Sequence, residues 1–143
     1  MSKSDTFEND LLKAIFNGTA IANMVDNASL SPLTNLYISL HTADPGEAGN
    51  QSTNEIAYTG YGRVAVARST GGWTVTGGSV SPVSAITFGA MTAGTGGTVT
   101  FFGVGTASGG TGKLLYSGTV TPNIVVSAGV TPSLSTSTTI TED

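Results

Sequence analysis

The chain has no cysteine, a single histidine and little charge. Without cysteine there are no disulfides, thiolate metal sites or thiol nucleophiles. Only 10% of its 143 residues are charged, against about 25% in an ordinary soluble domain. Between Ser69 and Thr141 the one charged residue is Lys113. So neutral a half is a poor setting for general acids, bases or metal ligands, and it reads as a β-rich body partly covered by other protein. The net charge of −4 argues against wrapping nucleic acid, which needs clustered Lys and Arg. No apolar run approaches the roughly 20 residues of a membrane span. Asp5, Glu8 and Asp10 interrupt the place where a signal peptide's apolar stretch would run. The expectation is a protein made in the cytoplasm, with no cofactor and no nucleic-acid or membrane partner.

What the chain does have is Gly, Ser, Thr and β-branched residues in short alternating runs. Residues 5–17 are the exception, with Phe7, Leu11, Leu12, Ile15 and Phe16 on one side at the helical period. Asp5 and Glu8 resemble a capping box, and Gly18 supplies a stop. Three turns are marginal alone, so the stripe must pack on a sheet or, failing that, on a partner. After a loop through Asn27 and Pro32, strands are expected at Asn35–Thr42, Gly62–Arg68, Trp73–Thr76, Ala85–Phe88, Thr98–Val104, Lys113–Val120, Asn123–Val126 and Thr136–Thr141. About eight short strands with Gly-rich turns and no intervening helices predict an all-β fold, an antiparallel, jelly-roll-like β-sandwich. The division is a helix and linker over 1–30, then a β-sandwich domain over 31–143. The predicted core is Leu36, Ile38, Leu40, Val64, Val66, Trp73, Ile86, Phe88, Phe101 and Leu115, and one of the adjacent Phe101 and Phe102 must face away.

Several motifs imitate chemistry. Ala107-Ser108-Gly109-Gly110-Thr111-Gly112-Lys113-Leu114 resembles a phosphate-binding loop but lacks its first Gly and its final Ser or Thr, and it leads into a strand. A Gly-rich hairpin connection explains it better. Gly103-Val104-Gly105 starts a dinucleotide fingerprint that fails at Ser108. His41, with Asp44 and Glu47 nearby, is read as a polar residue on a strand face rather than a base or ligand. Asp44, Glu47, Asn50 and Glu55 do not have the spacing of a calcium loop. No catalytic, cofactor or metal residues are therefore assigned.

The segment with binding character is the seventeen-residue loop Ala43–Thr59. It mixes charges with neighbouring aromatics, a mix that suits an interface. The candidate partner-binding residues are Asp44, Glu47, Glu55, Tyr58, Tyr61, Arg63 and Arg68. Arg63 and Arg68 either meet a partner's carboxylates or satisfy Glu47 and Glu55 within the chain. Tyr58, Tyr61 and Trp73 pack in the core by default, or, if exposed, stack on sugars or anchor a protein interface.

The order His41-Thr-Ala-Asp-Pro-Gly46, then Tyr58-Thr-Gly-Tyr61 with Arg63-Val64, then Gly71-Gly72-Trp73, is similar to a family of small tailed-phage virion proteins. The C-terminal run from Gly110 fits the same pattern. The resemblance implies a non-enzymatic structural protein of the tail-fibre-like or capsid decoration (cement) kind. It supplies no catalytic residues. The function expected first is decoration of the capsid exterior, contacting the major capsid protein as a homo-oligomer, a dimer or trimer, after synthesis in the bacterial host. The alternative is a tail or fibre attachment module.

Overall fold

A computed structural model describes residues 5–21 and 32–141. Its elements are a helix α1 (Asp5–Leu12) continuing into a wider π-helical turn (Lys13–Asn17), then nine strands: β1 (Asn35–His41), β2 (Val64–Ala67), β3 (Trp73–Thr76), β4 (Ser79–Pro82), β5 (Ile86–Thr87), β6 (Gly97–Gly105), β7 (Leu114–Val126), β8 (Ser133–Leu134) and β9 (Ile140–Thr141). The pairings β1–β6, β6–β7, β3–β4 and β4–β9 are all antiparallel. The fold is all-β with one short helix, as the alternation and turn spacing predict. The loop through Asn27 and the side chain of Asp5, with its expected capping box, lie outside the described residues. Among the described residues no helix is long and apolar enough to cross a membrane.

The chain forms two compact units. The first comprises Met1–Asn35, Val66–Ala85 and Leu134–Asp143. Here β3 and β4 form a hairpin whose two-residue turn is Gly77-Gly78, both at positive φ, 58° and 74°. That backbone suits a tight hairpin and costs glycine no steric strain. β9 extends this hairpin into a three-stranded sheet. The helix packs on β3 and β4, the first of the two expected alternatives. Phe16 meets Trp73 edge-on with ring centroids 4.8 Å apart, and the Asn17 amide donates to the Trp73 carbonyl at 3.1 Å. The buried face is Leu12, Ala14 and Phe16, while Phe7, Leu11 and Ile15 are half-buried. Ala14 and Phe16 lie in the π-helical turn. Gly18, at φ 67°, ends the helix in the left-handed conformation.

The second unit comprises Leu36–Ala65 and Ile86–Ser133. The four-stranded sheet runs in the order β2-β1-β6-β7. Leu36, Ile38, Leu40, Val99, Phe102, Val104, Val120 and Val126 are buried along it. Phe102 is the inward member of its pair, and Gly118 gives it room: a Cβ there would lie 2.8 Å from the Phe102 ring. Ile86 and Phe88 are buried as predicted, whereas Val64, Val66, Phe101 and Leu115 are only half-buried. β2 and β7 are the outer strands of the sheet, so their side chains lack a neighbour on one side. β7 joins the two segments expected as separate strands. The interruption survives as a register shift, with Val99 opposite Ile124 but Phe101 opposite Thr119, around Pro122.

Arg68 fastens the helix within the first unit. Its Nε donates to the Ile15 carbonyl at 2.6 Å, Nη2 to the Ala14 carbonyl at 2.6 Å and Nη1 to the Leu33 carbonyl at 3.3 Å. The Ala14 and Ile15 carbonyls lie in the last turn of the helix, where intrahelical donors run out, and Leu33 belongs to the segment that leads into β1. Replacing Arg68 by Ala should lower stability by about 1–3 kcal/mol, the worth of charge-assisted hydrogen bonds, and reduce helical circular dichroism. Urea unfolding identical to wild type would show that apolar packing alone holds the helix.

Candidate functional site

The loop after β1 is not a slack excursion. It returns to the strand it left: Thr42 N–H donates to Asn54 O at 2.8 Å and Ile56 N–H to Leu40 O at 2.9 Å. Within it, Asp44 Oδ1 accepts from Gly46 N–H at 2.9 Å, and Asn50 Oδ1 accepts from Ser52 N–H at 2.8 Å. Asp and Asn close such turns because a short side-chain oxygen reaches the backbone two residues on. Two of the four residues weighed for calcium, Asp44 and Asn50, are thus holding backbone. No group of three or more His, Asp or Glu residues among those described could hold a metal ion.

Arg63 ties this loop to the turn between β6 and β7. Its Nε and Nη2 donate to Glu55 Oε1 and Oε2 at 2.8 and 2.7 Å, a bidentate pair. Nη1 donates to Ala107 O at 3.0 Å and Nη2 to Gly110 O at 2.7 Å. The Arg63 side chain is only 2% exposed, and its bonds to Glu55 raise its affinity for the proton above the ordinary guanidinium. Tyr61 completes the group: its hydroxyl donates to Glu55 Oε1 at 2.7 Å and accepts from Leu40 N–H at 3.1 Å. Burial, then the neighbouring carboxylate, keeps that hydroxyl protonated far beyond the usual tyrosine range, against the opposing pull of the Leu40 bond.

Beneath the loop lies a polar cluster that sequence reasoning missed. Ser39, His41 and Gln51 are fully buried. His41 Nε2 and Ser39 Oγ are 2.8 Å apart, and Nδ1 lies 2.8 Å from the Thr53 carbonyl. The neutral ring satisfies both contacts when Nδ1–H donates to Thr53 and Nε2 accepts from the serine. Gln51 Nε2 donates to Tyr37 O at 3.3 Å, and its Oε1 accepts from Ala107 N–H at 2.9 Å. Three glycines make the space. A Cβ on Gly103 would lie 2.7 Å from His41 Nε2, one on Gly105 2.1 Å from Gln51 Cδ, and one on Gly112 2.3 Å from Gln51 Oε1. Gly103-Val104-Gly105 and Gly112, which imitate nucleotide motifs, are instead the floor of this cluster. The expectation of a half-buried β1 with His41 on its polar face is corrected: the loop covers that face as well.

The proposed partner-binding residues therefore divide. Glu55, Tyr61 and Arg63 are drawn together and bonded within the chain, so Arg63 takes the internal alternative. Tyr58 is buried, its hydroxyl donating to Gly89 O at 2.8 Å. Tyr58 and Tyr61 sit 5.4 Å apart, and Tyr61 stacks on Phe88 at 6.2 Å. With Trp73 also buried, these aromatics pack internally. Arg68 belongs to the first unit, on the helix end. Asp44 and Glu47 are exposed and line a groove of about 440 Å³ against Leu114–Ser117 of β7.

The sequence comparison gives this charge-poor chain a family. Residues 2–141 match the family described as Podophage GP4 fiber I protein gp80. The chain belongs to that family. It is thus a bacteriophage virion structural protein of fibre-protein kin, in line with the resemblance carried by residues 36–75. No curated protein matches the chain.

In this fibre-family protein two predictions follow from the fastened loop. Replacing Glu55 by Ala leaves the buried Arg63 charge without its partner and should cost about 3 kcal/mol or more, with loss of hydrogen-exchange protection across residues 43–59. Unchanged protection would show that the backbone bonds alone fix the loop. His41 gives a pH dependence. Burial, the largest influence, lowers its proton affinity, outweighing the Thr53 bond and the Glu55 charge, while Arg63 lowers it further. The folded state then binds fewer protons than the unfolded chain, whose histidine titrates near pH ~6.5. Stability should be level above that pH and fall as pH drops below it, by at most about 1.4 kcal/mol per unit. Urea midpoints measured from about pH 8 down to about pH 5, a span that brackets the histidine range near pH ~6.5, check this. A flat profile through pH ~6 would contradict it.

Proposed function

We propose that this chain is a non-catalytic structural module of a podophage fibre, assembled from several copies. What carries the reading is the treatment of charge in a member of a fibre-protein family. Glu55 and Arg63 are directed inward to hold a loop, and no catalytic constellation is assembled around them. His41 is sealed beneath that loop. From Ile86 to Ser133 the second unit carries one charged residue, Lys113, and burying such a surface against a partner costs less than burying a charged one. Closed rotational symmetry is the usual outcome when identical copies associate.

The fibre takes precedence over the capsid exterior, with its major capsid protein partner, because the matching family is described as a fiber protein. An aromatic platform for host glycan is not part of the proposal, since Tyr58 and Trp73 are buried. Quantitative mass spectrometry of purified virions, with heads and tails separated, tests the assignment. The expected result is recovery with tails, in a small multiple of a fibre's symmetry order. Recovery with heads, in proportion to the major capsid protein, would overturn the fibre and support decoration.

A further inference from the structure

We propose that two copies of this chain join about a two-fold axis across the groove beside β7, with Lys113 of each copy entering the carboxylates of Asp44 and Glu47 on the other. The groove has Asp44 and Glu47 on one wall and Leu114, Leu115, Tyr116 and Ser117 on the opposite one. β7 is the last strand in its sheet, hydrogen-bonded to β6 on one side with no strand on the other among the described residues. Such an edge offers backbone donors and acceptors to a second strand unless something guards it.

β7's guards are unevenly placed. Pro122 and the large register shift lie in its C-terminal half. Leu114–Thr119 contains neither proline nor charge. A one-residue slip at Leu115, between the pairs Gly105–Leu114 and Val104–Tyr116, keeps this part of the edge from being a flat template. Side-chain charge, rather than a long ladder, must then set the register.

That charge is self-complementary. Lys113 is the one charged residue between Ser69 and Thr141. It is exposed and directly precedes the β7 wall of the groove. Glu47 is exposed on the facing wall, and neither it nor Lys113 forms an ion pair among the described residues. A patch with an anionic wall and a cation at its rim is what an isologous contact requires, since each copy supplies both halves. Arg63 and Arg68 point their donors into the chain, which leaves Lys113 as the exposed cation of the second unit. Two bodies of net charge −4 repel in most orientations, so the orientation that places Lys113 on Glu47 twice is favoured by selection against the others.

The contact deepens the multi-copy fibre reading and takes its purpose from it, but its test is made in solution and is independent of virion location. Sedimentation velocity of the purified full chain should show a concentration-dependent dimer that weakens with added salt. Lys113→Glu and Glu47→Lys should each weaken it about tenfold or more, equivalent to about 1.4 kcal/mol. The combined Glu47→Lys and Lys113→Glu chain should dimerise more tightly than either single reversal, because the 47–113 pair is restored with its signs exchanged, although short of wild type because Asp44 then faces a carboxylate. Both positions are exposed and unpaired, and circular dichroism verifies that each variant is folded. A monomer at every concentration, a dimer indifferent to either reversal, or a combined variant without recovery would each overturn the proposal. Recovery of the protein with heads while the exchange behaves as expected would overturn the fibre assignment and leave this contact standing.

Discussion

The bidentate bond between Arg63 and Glu55 is the constraint on which the second unit depends. Burying two charges costs several kcal/mol per ion, and the pair is tolerable only when geometry and hydrogen bonding are nearly complete. Here they are. Glu55 receives two guanidinium bonds and one from Tyr61, while the remaining guanidinium donors reach Ala107 and Gly110. One side chain therefore joins three segments that no sheet ladder connects: the loop after β1, the approach to β2 and the β6–β7 turn. Once these are fixed, the loop can act as a lid over β1. The lid in turn makes room for a second polar layer, Ser39, His41 and Gln51, in which backbone carbonyls and hydroxyls replace water.

This arrangement explains why so few charges suffice. A chain with five basic residues directs two of them, Arg63 and Arg68, to carbonyls and a carboxylate inside its own units. Both are arginines, and the choice is physical. A planar fork with several fixed donors can close a carboxylate and two carbonyls at once, which an ammonium cannot do with the same directionality. Lysine is left to the surface at Lys113, where a compact, hydrated charge on a flexible stem can reach outward to a carboxylate beyond its own chain.

Much of the fold was legible because it rests on local rules. Alternation in Leu36–Leu40 marked β1, the helical stripe ending at Gly18 marked α1, and both are where the pattern put them. The Gly77-Gly78 pair carried a hairpin signal, yet β4 was not anticipated. Ser79–Pro82 is four residues ending in proline, too short to show a period. The half-buried Val64, Val66 and Leu115 could not be told from core residues, since strand order, not alternation, decides which strands are outer. The site was less legible still. Arg63 and Glu55 were weighed as a pair, but eight residues of separation do not reveal burial. His41 alternated correctly as a polar position and was nonetheless enclosed, because the cover comes from a loop whose path is written in turn residues and side-chain bonds, not in periodicity.

Gly103, Gly105 and Gly112 show why motif reading misleads in such a chain. In nucleotide-binding loops glycine allows the backbone to approach a phosphate. In this protein it allows the approach of His41 and Gln51. The spacing is similar because the geometric need is similar: a polar group must come within bonding distance of backbone where any Cβ would intrude. What differs is the occupant, and the occupant is set by context. A phosphate needs a helix N-terminus or a nest of N–H groups aimed at one point, whereas Gly103 and Gly105 lie on β6, whose N–H groups are directed along the ladder to β1 and β7. An extended strand cannot converge its donors on an anion. It can flank a neutral imidazole and an amide, each of which brings its own donor and acceptor, and those are the side chains that fill the space.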